Sequence, residues 1–131
     1  MIRIEPYNDK RDAKALFVLM QQEADWGDYS GSDMSIAKYK VALKQSATFV
    51  LYDDEICCGF IRAKDDFGFC TFIHDLLVGK NHRGNGYGKK LIEYIADAFD
   101  GTTTYVMSDN DIYYNKQGYA TIEGRLIKIR E

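Results

Sequence analysis

Residues 82–91 read "HRGNGYGKKL", with glycines at 84, 86 and 88 set between cationic side chains and the start of an apolar-periodic run. Glycine weakens a regular element, so three in five residues mark a stretch where the bare backbone is the working part. From Leu76 to Ile92 the chain carries Lys80, His82, Arg83, Lys89 and Lys90 and no acidic residue, although its overall net charge is −3. Leu91, Ile92, Ile95, Ala96 and Phe99 share one helical stripe, which predicts a helix over 86–99 with Lys89 and Lys90 in its first turn. The positive end of a helix dipole disfavours cations there. The reversal makes sense if an external anion occupies that end, with loop and helix-terminal N–H groups turned towards a phosphate or pyrophosphate.

Two familiar phosphate motifs fail at this site. A P-loop needs Lys-Ser or Lys-Thr after its last glycine, but Gly88 is followed by Lys89 and Lys90; the dinucleotide fingerprint needs a third glycine where Lys89 stands. A tight strand-to-helix turn with surface lysines is the plainer alternative, and it leaves the helix-end charge unexplained.

The surrounding chain is 131 residues, 46% apolar and 28% charged, which suits one folded domain over 1–131. No apolar run approaches the ~20 residues of a membrane span, and "MIRIEPYNDK" lacks the apolar core of a signal peptide, so a soluble cytoplasmic protein without a membrane partner is expected. The net charge gives no nucleic-acid signal. Cys57, Cys58 and Cys70 are odd in number and lack C-x-x-C spacing, so they read as inert buried thiols rather than disulfides or metal ligands.

"MIRIE" alternates as a strand does; Ala13, Leu16, Phe17, Met20 and Ala24 mark a first helix; "DWGDYSGSDM" reads as a loop. Ile36, Tyr39 and Leu43 mark a second helix, with Ser32 or Ser35 as its cap. "ATFVLYDDEICCGFIRA" is a hairpin about Asp53 and Asp54, and "FCTFIHDLLV" a long strand. After the 86–99 helix come a strand "TTTYVM", a short helix in "DNDIYYNKQG", and a terminal hairpin of "YATI" and "RLIKIR". Arg125, Lys128 and Arg130 in that hairpin read as protection of a sheet edge. The order predicts an α/β fold with a mixed, twisted sheet of about six to seven strands flanked by about four helices.

Two blocks then carry a resemblance. "RGNGYG", Arg83 to Gly88, fits R-x-x-G-x-G/A inside the strand-loop-helix block "DLLVGKNHRGNGYGKKLIEYI", and "YYNKQGY" fits Y-x-x-x-G-F/Y at Tyr114, Gly118 and Tyr119. With them the sequence resembles the GNAT superfamily of acetyl-CoA-dependent N-acyltransferases over nearly the full chain. The resemblance implies acetyl-CoA as cosubstrate, its pyrophosphate held by Arg83, Gly84, Asn85, Gly86, Tyr87, Gly88 and Lys89. Peptide groups near Leu76, Leu77 and Val78, where the family's strand splays from its neighbour, would hold pantetheine and the acetyl carbonyl. Asn110 is a further cofactor candidate; it precedes Tyr114 by four residues where the family often has about two helical turns. The family's C-terminal strands are also commonly longer than "ATIEGRLIKIRE".

The implied reaction is direct attack of an amine on the thioester within a ternary complex. His74, four residues before Val78 where relatives often carry Glu or His, is the implied base, and a histidine's ordinary pKa near 6.5 suits that task. A hydrogen-bonded strand histidine is the alternative. Tyr114 is the implied acid for the departing thiolate, with Tyr113 its close competitor. Glu23, Asp25, Trp26, Asp28 and Tyr29 cluster where the family borders its acceptor, and acidic with aromatic groups would suit a cationic amine; a solvated acidic loop is the ordinary alternative. Asp75 faces away from His74 if the strand is regular; it is placed with the substrate-binding residues, orienting the loop or another side chain rather than serving as base. The expectation is therefore an N-acetyltransferase acting on a small-molecule or peptidyl amine, as monomer or homodimer. A non-catalytic acyl-CoA-binding or regulatory module would keep residues 83–88 and need neither His74 nor Tyr114.

Overall fold

The structure is a computed structural model that describes residues 1–108, 110–119 and 122–131. Strand β1 (Ile2–Pro6) gives way to α1 (Asp9–Gln21) at Asn8, whose side-chain oxygen accepts from the Arg11 backbone N–H and so satisfies one of the helix's orphan donors. A 3₁₀ turn (Ala24–Trp26), the one-turn α2 (Gly27–Ser30) and α3 (Asp33–Gln45) follow. Of the two candidate caps it is Ser32 that starts α3, accepting from the Ser35 N–H at 3.1 Å. Then come β2 (Ala47–Asp53), β3 (Ile56–Asp65), β4 (Cys70–Val78), α4 (Tyr87–Ala98), β5 (Thr103–Val106) and α5 (Asp111–Lys116).

The strands lie in chain order, β1 to β5, antiparallel except for the parallel β4–β5 pair that α4 connects. A parallel pair needs such a crossover, whereas the antiparallel β2–β3 and β3–β4 pairs are joined by short turns and α1 to α3 lie between β1 and β2. On one face α1 and α3 bury Leu16, Met20, Leu43 and Phe60; on the other α4 buries Leu91 and Ile95 against Leu51, Ile61 and Ile73. Each face removes several large aliphatic side chains from water, at about 1.5–3 kcal/mol apiece, which is what holds two helical layers on one sheet.

The ladder between β3 and β4 is irregular at one residue. Arg62 pairs with Asp75 and Ala63 with Ile73, so His74 is left as an inserted bulge. The bulge reverses the alternation of faces: Ile73, Leu76 and Val78 join the α4 side, while Asp75 and Leu77 lie on the α1/α3 side. The expectation that Asp75 and His74 face apart rested on a regular strand, and that regularity ends here.

Three sequence expectations change. The stretch 25–34 is not all loop but contains α2, because Trp26 and Tyr29 pack edge-on at 5.6 Å and Tyr29 stacks on Tyr39 of α3 at 4.4 Å. Helices therefore number five rather than four among the described residues. The terminal hairpin is absent from residues 122–131, so the sheet has five strands among the described residues rather than six to seven; Ala120 and Thr121 of "YATI" lie outside them. Alternation is a local signal, whereas a strand exists only where a ladder receives its N–H and C=O groups. Leu126, Ile127 and Ile129 stand exposed instead.

Candidate active site

The chain beyond β4 forms the loop that the glycines foretold. Gly84 and Gly86 have φ of 84° and 76°, in the left-handed region where a Cβ is strained, so glycine is required by conformation at both. Gly88 serves another purpose: a Cβ there would collide with the Tyr113 hydroxyl. No side chain caps α4, and its first helical donor is the Lys90 N–H, to the Gly86 carbonyl at 3.1 Å. The N–H groups of Tyr87, Gly88 and Lys89 are thus the orphan donors of a helix start that has no acidic residue in its first turn. That donor set fits a pyrophosphate. Gly86→Ala is expected to cost about 1–2 kcal/mol from the left-handed backbone alone, read as a lower urea midpoint.

Around that start the predicted side chains divide. Arg83 donates from Nε to the Val78 carbonyl at 3.1 Å and pairs with Glu23, which thereby fastens the end of α1 to the glycine loop. Asn85 Nδ2 donates to the His82 carbonyl, and Lys89 lies 4.0 Å from Glu93 one turn on. Tyr87 turns inward, its hydroxyl 3.2 Å from Asp53, and its phenol pKa is raised, chiefly by burial and then by that carboxylate.

The mouth beside this loop comes from an early end to the β5 ladder. β5 pairs with β4 only from Cys70 to Ile73, so His74, Asp75, Leu76, Leu77 and Val78 have β3 or nothing on one side and, among the described residues, no strand on the other. His74 stands where both ladders break. Burial first, and then the Arg62 guanidinium, hold its imidazole below the ordinary range; Asp75 opposes this and Lys64 adds to it. Such a ring is neutral at neutral pH.

Across the mouth, Tyr113 and Tyr114 of α5 lie with their rings perpendicular and 5.1 Å apart, both packed on the α4-side core with Leu76 and Val78. Burial raises the Tyr113 phenol's pKa, with Tyr119 contributing second. Asn110 spends its side-chain oxygen on capping α5, accepting from the Tyr113 N–H at 3.2 Å.

On the other face of β4, a cleft of about 680 Å³ is lined by Asp28, Tyr29, Ser32, Lys38, Tyr39 and Arg62, among others. Of the predicted acceptor residues Asp28 and Tyr29 line it. Trp26 packs between Tyr29 and Phe60 as part of the core, and Asp25 is exposed on the 3₁₀ turn. Asp75 is only 7% exposed, beneath the cleft, and its Oδ2 accepts from Tyr39 at 2.7 Å and from Arg62 Nε at 2.6 Å. Sequence reading passed over Arg62 and Tyr39. A lone cation within the apolar run "CCGFIRA", facing an Asp across the next strand, was the signal available for Arg62.

The cysteines stay outside this chemistry. All three are free thiols, and burial pushes the Cys57 thiol up to about 12, far from the thiolate that a nucleophile requires. No helix of the described residues is long and apolar enough to cross a membrane.

Comparison with known proteins agrees with this geometry. No curated protein sequence matches the chain. Among solved structures, an aminoglycoside acetyltransferase from an uncultured soil metagenomic sample superposes with a TM-score of 0.74 at 20% identity, covering 100% of this chain and 99% of that one. A transcriptional regulator from Bacillus halodurans gives 0.75 at 12% identity, with 100% of both chains covered. Glucosamine-6-phosphate N-acetyltransferase from Arabidopsis thaliana gives 0.63 at 15% identity, covering 100% and 97%. At these identities the likeness shows a shared fold, and the acceptors named belong to those proteins. The profile of the acetyltransferase (GNAT) family matches residues 13–119, a span holding both the glycine loop and the two tyrosines of α5. That match spans most of the chain, and the chain belongs to the acetyltransferase (GNAT) family.

Proposed function

We propose that the protein is an N-acetyltransferase that moves an acetyl group from acetyl-CoA to a primary amine in a ternary complex. The observation that carries this reading is the coincidence of the uncapped α4 start with the β4 segment 74–78 that β5 leaves unpaired. Peptide N–H groups of 87–89, with the lysines around them, would hold the pyrophosphate; exposed peptide groups of 76–78 would hold the pantetheine arm and the acetyl oxygen. Bound there, acetyl-CoA supplies a thioester ready for acyl transfer.

The chain's own groups then move protons. His74, kept neutral by burial and by Arg62, accepts the proton that the amine loses, directly or through one water. Tyr114 delivers a proton to the sulfur as the carbon–sulfur bond breaks. Its motif position favours it over Tyr113, whose hydroxyl is packed against Gly88. Tyr114→Phe is expected to lower kcat by about 10²-fold with affinity for CoA retained, and Tyr113→Phe to lower it less; the reverse order in steady-state assays would exchange the two roles. The cleft of Tyr29, Tyr39 and Arg62 is the acceptor side, open to a small-molecule or peptidyl amine.

A thermal unfolding series with acetyl-CoA, CoA, NAD and ATP tests the reading first. Ligand that binds only the native state stabilises it by about 2.7 kcal/mol at a hundredfold excess over Kd. CoA species should raise the midpoint with concentration while NAD and ATP leave it in place. No shift with CoA species at millimolar concentration would set the reading aside, whereas binding without thiol release across an amine panel would favour the non-catalytic module.

A further inference from the structure

Hydrophobic patterning does not settle the register of the strand on which the site is built. In "IHDLLV", residues 73–78, an unbulged β4 would send Ile73, Asp75 and Leu77 to the α4 face and His74, Leu76 and Val78 to the other. The observed strand sends Ile73, Leu76 and Val78 to the α4 face and Asp75 with Leu77 to the α1/α3 face. Both arrangements supply aliphatic side chains to both cores, so Leu76, Leu77 and Val78 are indifferent between them. Asp75 is not. Without the bulge its carboxylate would enter a cluster of Leu51, Ile61, Ile73, Leu91 and Ile95, where those neighbours are all apolar. With the bulge it lies opposite Arg62, accepts from Arg62 Nε and from the Tyr39 hydroxyl, and is buried with both bonds made.

We propose that Arg62, Asp75 and Tyr39 form a register lock: they hold the β4 bulge and thereby position His74 and the peptide groups of 76–78 at the mouth that β5 leaves open. The lock reaches three elements. Arg62 on β3 also donates from Nη1 to Ser46 Oγ at 3.1 Å, just past α3, and its guanidinium lies over the Tyr39 ring at 5.5 Å. Tyr39 is itself stacked on Tyr29 of α2. All three are positioning residues, since their bonds run to one another and to scaffold groups. Burying a polar cluster of this kind is a poor source of stability, and its best-attested use is to choose one arrangement over another. A bulge at a site re-aims the strand in the same way. The functional half of the proposal rests on the acetyltransferase reading of His74 and residues 76–78.

The test is a variant that replaces the lock by apolar groups of similar size, Tyr39→Phe, Arg62→Met and Asp75→Leu together, read by NMR contacts across the β3–β4 ladder. Wild type should give the bulged pairs Arg62–Asp75 and Ile61–Leu76. The variant is expected to stay folded and to show the regular pairs 62–74 and 61–75, alone or mixed with the bulged ones. Because a one-residue slip misplaces the site by more than an ångström, kcat should fall by about 10²-fold. Asp75→Asn keeps an acceptor oxygen for both donors and should keep the bulged pairs. Should the triple variant not fold, Arg62→Met with Asp75→Leu, leaving Tyr39 in place, gives the same readout. Bulged pairs surviving undiminished in the apolar variant would overturn the lock, as would regular pairs in Asp75→Asn. These contacts are read without substrate. A wild-type chain that never releases CoA would therefore sink the reading of His74 and leave the register result standing.

Discussion

His74→Gln is expected to lower kcat for amine acetylation by about 10²–10⁴-fold, the usual contribution of a positioned general base, while the affinity for CoA stays close to wild type. Glutamine keeps much of the ring's size and polarity but accepts no proton. The pH dependence carries a second signature. The imidazole must be neutral to act, and burial and Arg62 hold its pKa below the ordinary value of 6.5, so the acid limb of wild-type kcat should lie below pH 6.5. In His74→Gln that limb should vanish. Stability follows the same sign. The unfolded chain takes up this proton near its ordinary pKa, the native state only at lower pH, so the His74 contribution is complete above about 6.5 and erodes as pH falls towards the native value. Steady-state kinetics from pH 5 to 9 checks the limb, and urea unfolding over the same range checks the stability. An unchanged kcat in the variant would hand the base role to a water chain or another group.

Arg62→Ala is expected to cost about 3–5 kcal/mol of folding stability, because it leaves the buried Asp75 carboxylate with the Tyr39 hydroxyl but no cation. This is among the largest single effects the structure allows, comparable to emptying an aromatic core position such as Phe60. Removing one partner of a buried pair costs far more than replacing both, since the lone charge keeps its desolvation penalty and loses its attraction. Denaturant titration of Arg62→Ala beside Arg62→Met/Asp75→Leu separates the two cases. A loss within error of an ordinary surface substitution, about 0.5 kcal/mol, would mean that water reaches Asp75 in the native state.

The two predictions concern neighbours on adjoining strands, and they differ in how far sequence alone could reach them. His74 belongs to a contiguous block. Its distance from Val78 and from the glycine loop is a matter of counting along one strand and one turn, so its candidacy is visible without a fold. The loop itself is legible for the same reason: positive φ at Gly84 and Gly86, an uncapped helix start and cations in the first turn are consequences of the residues in place. Ser32, one of two candidate caps of α3, the succession of β1 to β5 along the chain, and the helix expected over 86–99 and found at Tyr87–Ala98 were likewise local readings that the structure bears out.

What failed or went unseen depended on partners distant in sequence. The stretch 25–34 holds a helical turn because Tyr29 finds Tyr39, and the terminal segment forms no strand in residues 122–131 because alternation without a ladder is not a strand. Glu23 was placed on the acceptor side with the end of the first helix, and its ion pair with Arg83, sixty residues along the chain, was not foreseen. Arg62, Asp75 and Tyr39 come from a strand, its neighbour and a helix, and no local pattern joins them.

Sequence by itself determined the local pattern of this protein: a glycine-rich loop leading into a helix, a histidine four residues before the end of the preceding strand at Val78, and a tyrosine pair on a short helix beyond. Tertiary structure alone decided which way those groups face. A single inserted residue at His74 reverses the alternation of everything after it, and the choice between the two registers lies with a buried charge whose partners sit on other elements.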